Sequence, residues 1–175
     1  MMKRYSYSIL VLLLFSILQF ACKKDEISYK DDYKRSLRAF EDFKKVSNNS
    51  YRYMVSNGSW TGFSSETIIT VENGIVIGRS YVAKSVDYQL EKTEVHAEWE
   101  EDKETLGSHQ EGFKPITLDE VYQKAKSEWL PKRKDASVYF ESKNDGMMSS
   151  CGYVPNGCQD DCFTGVHISY IEKYN

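Results

Sequence analysis

Asn73-Gly74 is the dipeptide that most constrains this chain. A two-residue hairpin turn needs positive φ at both central positions, and Asn followed by Gly reaches those angles at little cost. The flanks agree with a turn there. Thr67-Ile68-Ile69-Thr70-Val71-Glu72 comes before it and a second run, Ile75 to about Lys84, comes after. Both are rich in residues that suit a pleated, half-buried surface. The pattern predicts an antiparallel hairpin, and with it a sheet built from neighbouring strands.

The rest of the chain fits around that hairpin. Tyr33, Leu37, Phe40 and Phe43 recur at helical spacing from Lys30 onward, with Val46 closing the stripe and Asn48-Asn49-Ser50 as the stop. Tyr51, Tyr53 and Val55 alternate with polar or flexible neighbours, which predicts a strand ending at Asn57-Gly58-Ser59. Thr117 and Glu120 form a capping box for a helix that carries Leu118, Val121, Tyr122, Ala125 and Trp129 and ends at Leu130-Pro131. Ser137–Phe140 reads as a strand, Asn144-Asp145-Gly146 as a turn, Met147 as the start of another strand and Gly165–Ile171 as the last strand. The segment 85–111 is densely charged, with Val95, Ala97 and Trp99 spaced through it. It fits both a solvated edge strand and a long loop. The order predicts an α+β, two-layer fold: a curled antiparallel sheet with helices on one face.

The N-terminus carries a different message. Met1-Met2-Lys3-Arg4 is basic, Ile9–Phe20 is apolar apart from Ser16 and Gln19, and Ala21-Cys22 precede the charged run Lys23-Lys24-Asp25-Glu26. A basic start, a short apolar stretch and a small residue before the cut make a secretory signal. The apolar run falls short of the roughly 20 residues that a spanning helix needs. The organisation that follows is an export signal peptide over 1–21, a charged tether over 22–29 and a single α+β domain over 30–175.

Ala21-Cys22 resembles the lipobox of bacterial lipoproteins, whose cysteine is acylated and becomes the first residue. With Gln19 and Phe20 before it, the motif is similar to the relaxed lipoboxes of the Bacteroidota. Lys23-Lys24-Asp25-Glu26 is similar to the signal that sends lipoproteins of that group to the cell surface. The mature part also resembles small bacterial lipoproteins with a domain of unknown function, in Tyr51-Arg52-Tyr53, Val71-Glu72-Asn73-Gly74-Ile75 and Ile116–Tyr122. The lipobox and the charged run imply a lipid anchor on Cys22 at the outer membrane or cell surface, or alternatively at the periplasmic face of a membrane, while the mature-part resemblance adds no address. It implies no activity.

Charge and composition narrow the partners. The chain has a net charge of −3, and loss of residues 1–21 removes Lys3 and Arg4 and no acid. An acidic body argues against nucleic acid and against an electrostatic hold on anionic lipid. The chain has 13 Tyr and 3 Trp, a composition that suits strands or, on the sharper reading, a surface for a glycan or protein partner.

Cys151, Cys158 and Cys162 lie close together near the C-terminus. Exported cysteines pair, and with Cys22 acylated only one bridge can form among these three. The pairs open to it are Cys151–Cys158, Cys151–Cys162 and Cys158–Cys162; Cys151–Cys162 is the favoured one, joining the end of one strand to the approach of the next and leaving Cys158 free. Two metal readings compete with the bridge. The three thiols with His167 have the ligand types of zinc but lack its paired-knuckle spacing. Asn156 with Asp160-Asp161 offers oxygens to calcium without the spacing of a calcium loop.

No nucleophile elbow, phosphate loop or metalloprotease helix is present in the sequence. His96, His109 and His167 sit in separate segments, and a Cys158–His109 pair has no supporting motif. These features predict no cofactor and no catalytic residue. The expected function is a membrane-anchored, non-enzymatic binding or structural module. The alternative is a small envelope hydrolase or redox protein that uses the Cys151–Cys162 loop.

Overall fold

The computed structural model describes residues 26–87 and 90–174. The expected signal segment over 1–21 and Cys22 lie outside the described residues. Helix α1 (Lys30–Val46) leads into β1 (Tyr51–Gly58), β2 (Phe63–Glu72), β3 (Ile75–Asp87) and β4 (Lys92–Glu101). Helix α2 (Leu118–Lys124) then runs into a π-helical turn (Ala125–Trp129), followed by β5 (Ala136–Glu141), β6 (Ser150–Pro155) and β7 (Thr164–Lys173). The fold is α+β, a seven-stranded antiparallel sheet in the order β4-β3-β2-β1-β7-β6-β5.

The hairpin forms at the expected turn. Asn73 and Gly74 have φ of 51° and 80°, and Glu72 pairs with Ile75. The turn also docks on the end of α1: Asn73 N donates to Ser50 Oγ and Gly74 N to Asn49 O. A Cβ on Gly74 would meet Asn49 Nδ2 at 2.5 Å, so this position needs glycine for space as well as for angle. β2 and β3 extend beyond the expected bounds, back to Phe63 and on to Asp87. The open segment 85–111 resolves into both readings in turn: the end of β3, then β4, then an irregular stretch from Asp102.

Strand β7 joins two halves of the sheet. Its residues from Ile168 onward pair with β1, while Thr164–His167 pair with β6. Bulges between Met54/Val55, Thr70/Val71 and Ala83/Lys84 interrupt the register. Such bulges bend strands and raise local twist, and the sheet curls accordingly.

The core gathers Phe40 of α1, Tyr51, Tyr53 and Val55 of β1, Ile69 and Val71 of β2, and Leu118, Val121 and Tyr122 of α2. Phe40 stacks on Tyr122 at 5.2 Å and meets Tyr51 edge-on at 5.9 Å. Tyr122 is buried without losing its polar contacts: its hydroxyl bonds Ser36 Oγ at 2.7 Å and Ser36 O at 3.1 Å, and accepts from Met148 N at 2.9 Å. Ser36 and not Val46 completes the buried stripe of α1, because Val46 lies past the last packed turn and is 65 % exposed.

The capping box at α2 forms as predicted, with Thr117 Oγ1 accepting from Glu120 N and Glu120 Oε2 accepting from Thr117 N. The strand expected from Met147 begins later, at Ser150, because Met147 is still bridged to Asn144 across the turn. At the N-terminal side the fold begins before Lys30. Ile27 is buried and bridged to Pro131, Ser28 N donates to Leu130 O, and Lys132 N to Glu26 O. An apolar residue at position 27 has a slot to fill, so the last residues of the expected tether belong to the folded body.

Candidate functional site

A concave site lies on the face of β5–β6–β7 opposite Cys151 and Val166, with Phe140 reaching its rim beside Tyr29. Register puts three polar residues in one row across it: Glu141 pairs with Ser150, and Ser150 pairs with His167. Ser150 Oγ and His167 Nδ1 are 3.0 Å apart. Phe163, just after the cysteine loop, stacks on the His167 ring with centroids 4.3 Å apart. The ring also lies over Gly152, where an added Cβ would meet Phe163 Cζ at 2.4 Å. Gly152 is therefore the residue that lets the aromatic fold down onto the sheet. Tyr139, Val154 and Tyr29 complete an open cleft of about 430 Å³. A smaller hollow of about 250 Å³ adjoins it behind Phe163 and His167, reaching Ser59 and Asp161.

Burial pushes the His167 pKa below its ordinary value, and Glu141 opposes the shift by favouring the charged ring. His167 is thus neutral near pH 7, with one nitrogen engaged by Ser150. The row does not make a catalytic triad. A triad places the imidazole between the hydroxyl and the acid, so that the acid orients the base. Here the hydroxyl sits between acid and imidazole, so Glu141 has no position from which to hold His167. The cleft offers aromatic faces, one carboxylate, one hydroxyl and one imidazole, which together suit recognition.

The cysteines correct the expected pairing. Cys158 bonds Cys162, with Cα atoms 6.3 Å apart, and Cys151 is the free thiol. The reason is the strand alternation. Cys151 is paired with Val166 and points into the core, with none of its surface exposed, while Cys158 and Cys162 sit in the loop beyond. Burial pushes the Cys151 thiol up to about 12, which makes it a packing group rather than a nucleophile. The Cys151–Cys162 loop is therefore not formed.

The other candidates do not assemble. For zinc, Cys151 and His167 occupy opposite faces of the sheet and the remaining two sulfurs bind each other. For calcium, Asp161 accepts from Ser59 Oγ at 3.0 Å and Asn156 donates to Lys134 O at 3.3 Å, so their side chains have separate partners. His109 lies flat on Trp99 at 4.2 Å, in the stretch after β4, and does not meet the disulfide-bonded Cys158. His96 is stacked on Phe63 and bonds Ser85 Oγ at 2.7 Å.

A buried ion pair joins β3 to β4 with no local motif to announce it in the sequence. Arg79 of β3 and Glu101 of β4 pair in register, with side chains 2 % and 0 % exposed. Arg79 binds Glu101 twice, at 2.8 and 2.7 Å, and donates to the carbonyls of His109, Glu111 and Phe113. Glu101 also accepts from the backbone amides of Gly107 and His109. Its carboxyl is held well below the usual carboxylate range, first by Arg79 and then, against the cost of burial, by those amides. The pair clamps segment 102–113 against the sheet. One clue stood in the sequence: Arg79 shares the parity of Tyr81 and Ala83, an inward position for a charge. No family model matches the chain, no curated protein matches it and no solved structure matches it, so the geometry above is the ground for any functional statement.

Proposed function

We propose that the chain is an exported lipoprotein, cut before Cys22 and held by lipid on that cysteine at the outer membrane or cell surface, whose domain binds a ligand in the β5–β7 cleft without turning it over. The order of the Glu141–Ser150–His167 row carries the binding part of the reading. It supplies hydrogen-bonding groups beside Tyr139 and Phe163 and no relay for activating the serine. A glycan suits such a site, since it pairs an apolar ring face with hydroxyl edges. The anchor part rests on the signal pattern and on its likeness to Bacteroidota lipoproteins with a domain of unknown function. The two-layer reading of the fold, with both helices on one face, goes with this proposal and is supported by Phe40 and Tyr122 packing together over Tyr51.

The test is a titration of the protein against a panel of envelope-type oligosaccharides, read by the NMR signals of the His167 and Phe163 rings. Binding should shift both, and Tyr139→Ala should weaken it about tenfold, as loss of one aromatic contact implies. If the panel leaves both rings unmoved, the glycan reading is wrong. Hydrolysis of any member that stops in Ser150→Ala would replace binding with catalysis.

A further inference from the structure

The charges of the folded body are unevenly placed. Acids crowd the β4 edge: Glu94, Glu98 and Glu100 are exposed on the strand, with Glu91, Asp102 and Glu104 beside it. β5 is the opposite edge of the sheet. The first turns of α1 sit at the β5 end, where Tyr29 and Tyr33 contact Phe140, and the π-helical turn packs against β6. Here the exposed charges are mixed, with Lys30, Lys34, Arg35 and Lys126 beside Glu26 and Asp31. Lys30, Lys34 and Lys126 rim a groove of about 410 Å³ that contains Ile27, Tyr33 and Leu37. Among the described residues these three lysines make no ion pair, whereas Lys44, Lys84, Lys124 and Lys132 each hold a carboxylate. Glu26 is taken by Lys132 at 3.0 Å and Asp32 by Arg35, which leaves Asp31 and Glu41 as the nearby acids without an ion pair among the described residues.

We infer that this lysine-rimmed groove is the face that meets the bilayer, docking on anionic phospholipid headgroups with the acidic β4 edge turned away. The inference rests on the proposed anchor. Cys22 lies five positions before Ile27, so chain geometry keeps a lipid on it within about 18 Å of the groove. Lys23 and Lys24 fall in between. The apolar floor and its lysine rim match the chemistry of a membrane interface, where long cationic side chains reach the phosphates while their stems cover apolar surface. Net acidity disfavours an electrostatic hold for the chain as a whole. At this face attraction to an anionic surface acts over a Debye length of about 10 Å, the six acids of the β4 edge lie at the other side of the sheet, and Glu26 and Asp32 are held by Lys132 and Arg35. Three lysines near such a surface correspond to about a hundredfold in local affinity.

The test uses the full-length protein, processed in a bacterial host, purified and reconstituted into vesicles of phosphatidylcholine with or without phosphatidylglycerol. Lysine acylation by an amine-reactive reagent is followed residue by residue by mass spectrometry. The same spectra read the lipid mass on Cys22. With Cys22 acylated, the reaction at Lys30, Lys34 and Lys126 should slow by up to about a hundredfold on anionic vesicles and recover in high salt. Lys92 and Lys114, exposed and away from the groove, should not change. Equal rates on both vesicles with Cys22 acylated overturn the inference. An unmodified Cys22 overturns the anchor instead. The face is then judged by sedimentation of that protein with anionic vesicles. Pelleting that is lost in Lys30→Glu/Lys34→Glu/Lys126→Glu supports the face, and no pelleting rejects it.

Discussion

Replacing Arg79 by Met removes the cation of the buried pair while keeping a similar apolar stem. The Glu101 carboxylate then stays buried without its counter-charge, and the carbonyls of His109, Glu111 and Phe113 lose their shared donor. Breaking a buried pair from one side costs about 3–5 kcal/mol. Glu101 keeps the amides of Gly107 and His109, at 2.9 and 2.7 Å, so the lower end of that range applies. Urea unfolding of wild type and Arg79→Met gives the difference directly. Arg79→Met/Glu101→Leu should recover part of the loss, since no charge is then stranded, but amides of segment 102–113 should exchange faster than in wild type. A pH series separates charge from packing. The carboxyl of Glu101 is depressed in the folded state, so its contribution is complete above the ordinary value of 4.5 and fades as pH falls below it. Arg79→Met should lose most of that acid sensitivity. A loss under about 1 kcal/mol, with an unchanged acid profile, would refute the clamp as a structural element.

Other consequences are checked more simply. Titration of thiols in unreduced protein should find Cys151 unreactive when folded and reactive once denatured, with Cys158 and Cys162 silent in both states. A reactive Cys158 would restore the pairing expected from sequence. Tyr122→Phe strips a hydroxyl that engages Ser36 and Met148, and should destabilise the fold by about 1–3 kcal/mol in thermal or chemical unfolding. Gly152→Val should push on both the Phe163 ring and the Thr164 carbonyl, which an added Cβ meets at 2.4 and 2.5 Å, at a cost of about 3 kcal/mol or more, and should move the His167 ring resonances. His167 should titrate below 6.5 by NMR. Because its folded value is lowered, its contribution to stability is full above 6.5 and is lost as pH falls through that value.

The elements legible in the sequence were those specified locally. Asn73-Gly74 fixes its own turn, and Thr117 with Glu120 fixes its own helix start, since in each case the interacting atoms lie within a few residues. The strand β4 was ambiguous because it is an edge, with Glu94, Glu98 and Glu100 exposed, so apolar alternation is weak along it. What depended on register was hidden. Nothing local says that Glu141, Ser150 and His167 share a row, or that Arg79 meets Glu101. The cysteine pairing failed for the same reason. Cys151 looked like a strand end near Cys162, but its parity with Val166 and Ile168 turns it into the core.

We propose that lipid on Cys22 holds the folded body to a membrane. The intact mass and N-terminal peptide of the protein recovered from an envelope fraction test it directly. A chain that begins at Cys22 and carries the added mass of acyl chains is expected. A chain cut elsewhere, or beginning at an unmodified Cys22, contradicts it.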